Sequence, residues 1–149
     1  MPTFLNILPG DPAPEATVRS FANPRYVLGS AAGRYLVLCF YGSAADPHAQ
    51  EAIKAVLARP DRFDDAKACF FGVSVDAADE AHNRVQDRCP GYRFFFDFDC
   101  ELSRKYGAAA QEAGEQGRVP LRRMWVILDP NMRVRSVIPF RPDQGDIAQ

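Results

Sequence analysis

Residues Tyr35-Leu36-Val37-Leu38-Cys39-Phe40-Tyr41 form an unbroken aromatic, aliphatic and β-branched run with no charged side chain. A strand that alternates polar and apolar residues can keep one face in water; one without alternation has to be buried on both. Six residues later Pro47 opens a second pattern, in which Ala49, Ile53, Val56 and Leu57 recur at helical spacing. Proline suits the first turn of a helix, where its missing N–H is not needed. A doubly buried strand feeding a helix predicts an α/β fold. The short segment Gly42-Ser43-Ala44-Ala45-Asp46 then lies between a strand end and a helix N-terminus, where open α/β sheets usually place their chemistry.

The flanking chain extends this frame. Leu8 to Pro14 is proline-rich and predicts a turn-rich lead-in; Arg19 to Val27 predicts a short edge strand or loop, and Gly29 to Gly33 a turn. Arg59-Pro60-Asp61 ends the first helix. Ala68 to Val75 predicts a second buried strand ending at Asp76. Ala77 to Arg88 reads as a helix with Ala78, Ala81 and Val85 on one face, followed by a turn at Cys89-Pro90-Gly91. Arg93 to Phe98 predicts a short aromatic strand, half core and half exposed, whose exposed half would be a patch needing cover. Asp99 is the expected N-cap of the next helix, with Leu102 and Tyr106 on its inner face and Gly107 as its stop. Ala108 to Gly117 reads as a solvated, mobile loop. Met124 to Leu128 predicts a third core strand, Asp129-Pro130-Asn131 a turn, and Arg133 to Ile138 a hairpin partner. Asp143 to Gln149 resembles the start of a helix, so residues 1–149 are expected to be one domain and the N-terminal part of a longer chain.

Composition narrows the function classes. The formal net charge is -1, with lysine and arginine scattered along the chain, which argues against nucleic acid or an anionic membrane as partner. No apolar run approaches the roughly 18 residues of a membrane span, and no leader pattern opens the chain, so the expected location is cytoplasmic. Cys39, Cys69, Cys89 and Cys100 include no C-x-x-C pair. Cys39 and Cys69 lie inside apolar runs and read as core residues. With only His48 and His82 as histidines, no metal-ligand pattern is present, and neither a metal nor another cofactor is expected.

Five segments together resemble the thioredoxin-fold peroxiredoxins of the AhpC/TSA family over nearly the whole chain. Leu8-Pro9-Gly10-Asp11-Pro12-Ala13-Pro14 is similar to that family's G-D-x-A-P opening, and Leu36 to Tyr41 to its V-L-F-F-Y strand. Gly72-Val73-Ser74-Val75-Asp76 matches G-V-S-x-D, and Asp99 with Tyr106-Gly107 matches D…YG. Arg123 to Pro130 is similar to R-x-x-F-I-I-D-P. The resemblance implies an α/β, thioredoxin-like (peroxiredoxin-type) three-layer sandwich around a central mixed sheet. It also extends to the N-terminal part of bacterial proteins that continue into an iron/2-oxoglutarate oxygenase domain, which implies such a domain beyond Gln149 as partner; self-association as a homodimer is the other expected partner.

The family's P-x-x-x-T-x-x-C motif is where the chain departs. An ungapped reading puts Gly42 at the proline, Asp46 at the threonine and Ala49 at the cysteine; a one-residue shift puts Ala45 and His48 at the last two positions. No cysteine occurs from 40 to 68 in either register. Read instead against thioredoxin's C-G-P-C, Ala45-Asp46-Pro47-His48 lacks both cysteines. Gly42, Asp46, His48, Ala49 and Arg123 are therefore expected to line a vestigial pocket, with Asp46 either paired to Arg123 or capping the helix. The expected function is a non-catalytic binding, scaffolding or regulatory domain. The alternative is an AhpC/TSA-type thiol antioxidant enzyme using a displaced cysteine, Cys89 or Cys100; the carboxylates of Asp99 and Glu101 beside Cys100 work against a low thiol pKa there.

Overall fold

The computed structural model describes residues 3–21, 23–64, 66–88, 91–114 and 117–140. Seven strands form one mixed sheet: β1 (Thr17–Ser20), β2 (Tyr26–Val27), β3 (Tyr35–Gly42), β4 (Ala68–Ser74), β5 (Tyr92–Phe96), β6 (Met124–Leu128) and β7 (Val134–Pro139). Their order is β2-β1-β5-β4-β3-β6-β7. β4 pairs in parallel with β3 and β5; the pairings of β6 with β3 and β7, and of β1 with β5 and β2, are antiparallel. The helices are α1 (Pro47–Leu57), α2 (Ala77–Ala81) and α3 (Glu101–Lys105).

The unalternating strands split between two cores, one on each face. Leu36, Leu38 and Phe40 of β3, Phe71 and Val73 of β4, Phe95 of β5 and Val126 of β6 join Leu102 and Tyr106 on one side. Cys39 and Tyr41, Phe70, Phe94 and Phe96, and Trp125 join Ala49, Ala52 and Val56 of α1 on the other. Each fully buried Leu, Val or Phe contributes about 1.5–3 kcal/mol, so strands that supply both cores hold the sheet together. The expected exposed half of the aromatic strand is a correction: Tyr92, Phe94, Phe95 and Phe96 are all buried, and only Phe98, beyond the strand end, is exposed. A strand flanked by neighbours and covered on both faces has no wet side for alternation to mark.

Three further expectations are corrected. The helix at 77–88 ends at Ala81, and its inward residue is Asp79, fully buried, while Ala81 is exposed. A charged side chain displaces alanine inside because hydrogen-bond partners wait for it there. The cap of α3 is Asp97 rather than Asp99: its two oxygens accept from Leu102 N at 3.0 Å and Ser103 N at 2.7 Å. Cys100 stands at the cap position with φ +61 and makes no side-chain cap bond, while Asp99 reaches only Glu101 N. The loop after Gly107 begins buried, with Ala108, Ala109 and Ala110 at 2% exposure or less, because Ala108 O and Ala110 N bond the strand-like segment at Arg122 and Pro120. Gly107 does stop α3; its φ of +82 is a conformation that side chains resist, and Leu5 O lies against its α-carbon. Cys89 and the segment 143–149 lie outside the described residues. Among the described residues, no helix is long and apolar enough to cross a membrane.

Candidate functional site

The site stands where β3 hands the chain to α1. The β3–β4 register shifts between Phe40 and Gly42, and Gly42 takes φ +81. This glycine turns the chain out of the sheet one residue before Ser43, a conformation that would strain a side-chain-bearing residue. Ser43, Ala44 and Ala45 follow, and extended Asp46 becomes the N-cap of α1.

Asp46 both caps the helix and makes the ion pair. Its Oδ2 accepts from the amides of His48 and Ala49, each at 3.1 Å, using donors that a helix start leaves without partners. Its Oδ1 lies 3.2 Å from Arg123 Nη2. Arg123 Nε in turn donates to Tyr41 O at 3.2 Å, so one guanidinium ties the end of β3 to the start of α1. Arg123 immediately precedes β6 rather than lying within it. Its side chain is 40% exposed, so solvent screening keeps the pair's contribution near the 0–1 kcal/mol typical of surface bridges. Ala49 is fully buried beneath this arrangement, and His48 is half-buried on the first turn of α1.

Behind the loop lies a second polar group, not anticipated from the sequence. The fully buried Asp79 accepts Ser74 Oγ at 2.6 Å, Ala44 N at 2.8 Å and Arg84 Nη1 at 3.1 Å. Asp76 accepts Ser43 Oγ at 2.6 Å and Arg84 Nη1 at 3.2 Å. The Ser43 hydroxyl, with the Ala78 amide and Arg84, holds the Asp76 carboxyl below its ordinary range. The two carboxylates thus fix the loop from Ser43 to Ala44 through its hydroxyl and its amide. The spacing Asp76-x-x-Asp79 straight after a buried strand is the signal that could have been read as an inward carboxylate. Tyr41 is buried nearby, its hydroxyl without a hydrogen-bond partner among the described residues; burial first, and Asp79 second, push its pKa well up.

Two described thiols are shielded from reaction. Cys39 is fully buried on β3, and desolvation holds its pKa well above the usual thiol value. Cys100 is buried before α3; desolvation first, then the Asp97 and Asp99 carboxylates, push its pKa up against the opposing Arg104. The structure therefore brings Gly42, Asp46, His48, Ala49 and Arg123 to one corner, while Cys100 stands at the cap position of α3. Among the described residues brought to this corner none carries a thiol, the group that attacks an O–O or S–S bond. What it offers is a fixed array of donors.

A cavity of about 840 Å³ opens at the C-terminal ends of β3 and β4, between Gly42 and Ser43 on one side and Leu121, Arg122 and Arg123 on the other; of the five expected pocket residues Gly42 and Arg123 line it, while Asp46, His48 and Ala49 do not.

Residues 9–137 match the AhpC/TSA family. The chain belongs to the AhpC/TSA family. Solved structures agree on the fold of this AhpC/TSA domain. The peroxidoxin BcpB of Mycobacterium tuberculosis superposes with a TM-score of 0.73 at 21% identity, covering 90% of this chain and 86% of that one. A thiol peroxidase from Chromobacterium violaceum gives 0.71 at 13%, covering 99% and 83%. AhpC of Mycobacterium tuberculosis gives 0.67 at 19%, covering 91% and 83%. At such identities the likeness establishes a thioredoxin-like peroxiredoxin fold. No curated protein sequence matches the chain.

Proposed function

We propose that this AhpC/TSA domain has a degenerate active site and works as a non-catalytic binding or regulatory module. The observation that carries this reading is the Asp46 carboxylate, which fills the α1 N-terminus and pairs with Arg123 at 3.2 Å while Ala49 follows it in the first turn. A peroxidatic thiol at Ala49 would be helped by helix amides and a nearby cation; here both are already satisfied by a carboxylate. The reading with a displaced thiol at Cys100 is weakened by that residue's burial and by its two aspartate neighbours. The proposed partner is a second copy of the chain or an oxygenase-like domain on the same polypeptide, the latter drawn from the sequence resemblance.

The test is site-resolved trapping of sulfenic acid after dilute peroxide, read by mass spectrometry on all four cysteines. Slow and uniform oxidation is expected. Oxidation of Cys100 or Cys89 orders of magnitude faster than an unactivated thiol overturns the proposal.

A further inference from the structure

We infer that the cavity beside the Asp46–Arg123 pair is a binding site for a small organic monocarboxylate with an apolar body. The inference deepens the binding reading of this same site and rests on it. The cavity's 840 Å³ falls within the range of small-molecule sites, and it opens at the strand ends where α/β sheets take ligands. Its floor is apolar: Phe40, Val73 and Ala108 are each at 3% exposure or less. Leu121, 43% exposed, forms an apolar lip. An exposed leucine beside a cavity invites an apolar ligand surface.

The charges lining the cavity are asymmetric. Arg123 is neutralised by Asp46. Asp76 is held by the Ser43 hydroxyl, the Ala78 amide and Arg84. Arg122 donates to backbone oxygens of Gly107 and Leu5, which satisfies its N–H groups without cancelling its charge. Arg118 lines the same wall, exposed, and its guanidinium has no hydrogen bond or ion pair among the described residues. Arg84 is shared between Asp76 and Asp79, so the Asp76 end keeps a net negative charge, and among the described residues the uncompensated positive charge sits on the opposite Arg118–Arg122 wall. A ligand matching this places its hydrocarbon over Phe40 and Val73 and its carboxylate against Arg118, where guanidinium geometry suits a bidentate contact.

The experiment uses the intact 149-residue chain, isotopically labelled, and titrates it with 4-phenylbutyrate, 4-phenylbutanol and 4-phenylbutylamine while amide resonances are followed. Saturable shifts centred on Gly42, Val73, Ala108 and Leu121 are expected with the carboxylate, which should bind about two- to fivefold tighter than the alcohol, as a solvent-screened charge pair implies. Arg118→Gln, an exposed change that leaves the fold intact, should remove most of that preference. Leu121→Asp should weaken the carboxylate further by like-charge repulsion. Absence of saturable shifts, equal binding of the three probes, or an unchanged preference in Arg118→Gln overturns the inference. A chain inert to peroxide that also binds no carboxylate keeps the proposed function and loses this site; a chain that reduces peroxide loses the proposed function, whatever it binds.

Discussion

Asp79 and Ala44 are joined by a 2.8 Å hydrogen bond from the Ala44 amide to a carboxylate that no solvent reaches. The same oxygen accepts the Ser74 hydroxyl at 2.6 Å, and the other accepts Arg84. Asp79→Ala removes the two buried oxygens that serve three donors and leaves the guanidinium of Arg84 half-paired. The expected loss in urea unfolding is about 1–3 kcal/mol for each buried donor left without an acceptor, since Arg84 is partly exposed and keeps Asp76. Asp79→Asn keeps an acceptor for Ala44 and should cost less than half of that. Equal stability of Asp79→Ala and the parent would show that the loop is held by other contacts.

The double role of Asp46 separates by substitution. Asp46→Asn keeps a side-chain acceptor for the His48 and Ala49 amides but drops the charge opposite Arg123. Asp46→Ala removes both. Asp46→Ala is expected to lose about 1–2 kcal/mol, the worth of an N-cap, and Asp46→Asn about 0.5 kcal/mol, as for a partly exposed ion pair. Raising salt should shrink the Asp46→Asn effect and leave most of the cap loss in place. Thermal unfolding at low and high salt reads both.

Restoring a thiol at the helix start should not by itself restore reactivity. In Ala49→Cys the new sulfur shares its helix amides with the Asp46 carboxylate, which disfavours the thiolate. The paired change Asp46→Thr with Ala49→Cys removes that charge and releases Arg123. Iodoacetamide labelling at pH 7 should be at least about tenfold faster at residue 49 in the double variant than in Ala49→Cys, corresponding to about one pKa unit. Equal rates would mean that Asp46 does not control the electrostatics of this corner.

Two carboxylates act on acid stability with opposite sign. Asp97 has a folded pKa raised by burial, so between the unfolded and folded values the folded state holds more protons, and stability falls as pH rises through that window. Asp76 has a folded pKa lowered by the Ser43 hydroxyl first, so its contribution is present above the unfolded value and is lost as pH falls through the folded one. Asp76→Asn should therefore flatten the acid side of a urea-midpoint profile, and Asp97→Asn should remove the opposing slope above the unfolded carboxyl value of about 3.9. A profile unchanged by either substitution would refute these assignments.

Cys100 should alkylate slowly at pH 8 in the folded chain, because burial and Asp97 keep it protonated. Asp97→Asn should accelerate the reaction modestly, and denaturant fully. Immediate labelling of folded parent protein would contradict the described burial.

The parts of this molecule that follow from one strand or helix at a time were legible in the sequence. The runs at Leu36–Tyr41, Ala68–Ser74 and Met124–Leu128 had no alternative to burial, although Tyr35 at the head of the first is exposed, and Pro47 and Pro60 bracket α1. The Asp46–Arg123 contact was also foreseeable, because a carboxylate and a guanidinium arrive at the same corner in a fold of this type. What could not be read locally were polar side chains drawn inward by partners far along the chain. Asp79 looked like a surface residue of an alanine-rich helix until Ser74 and Ala44 supplied its hydrogen bonds. Asp97 looked like part of a strand end, and Asp99 the better-spaced cap, until a left-handed Cys100 turned α3 toward the earlier residue. Ala108 to Ala110 carry no pattern of their own; Pro120 and Arg122 bury them by pairing across.

Arg122 touches more than the cavity. Its Nε donates to Gly107 O at 2.6 Å, its Nη2 to Leu5 O at 3.1 Å, and its guanidinium stacks 4.6 Å from the Phe4 ring. The first residues of the chain are thereby stapled to the wall that faces the cavity. Moving this wall outward stretches those contacts, so the arm is expected to loosen when the cavity widens. Trimming of the arm by a dilute protease thus serves as a clock for cavity opening, and any molecule that holds the wall shut will slow it.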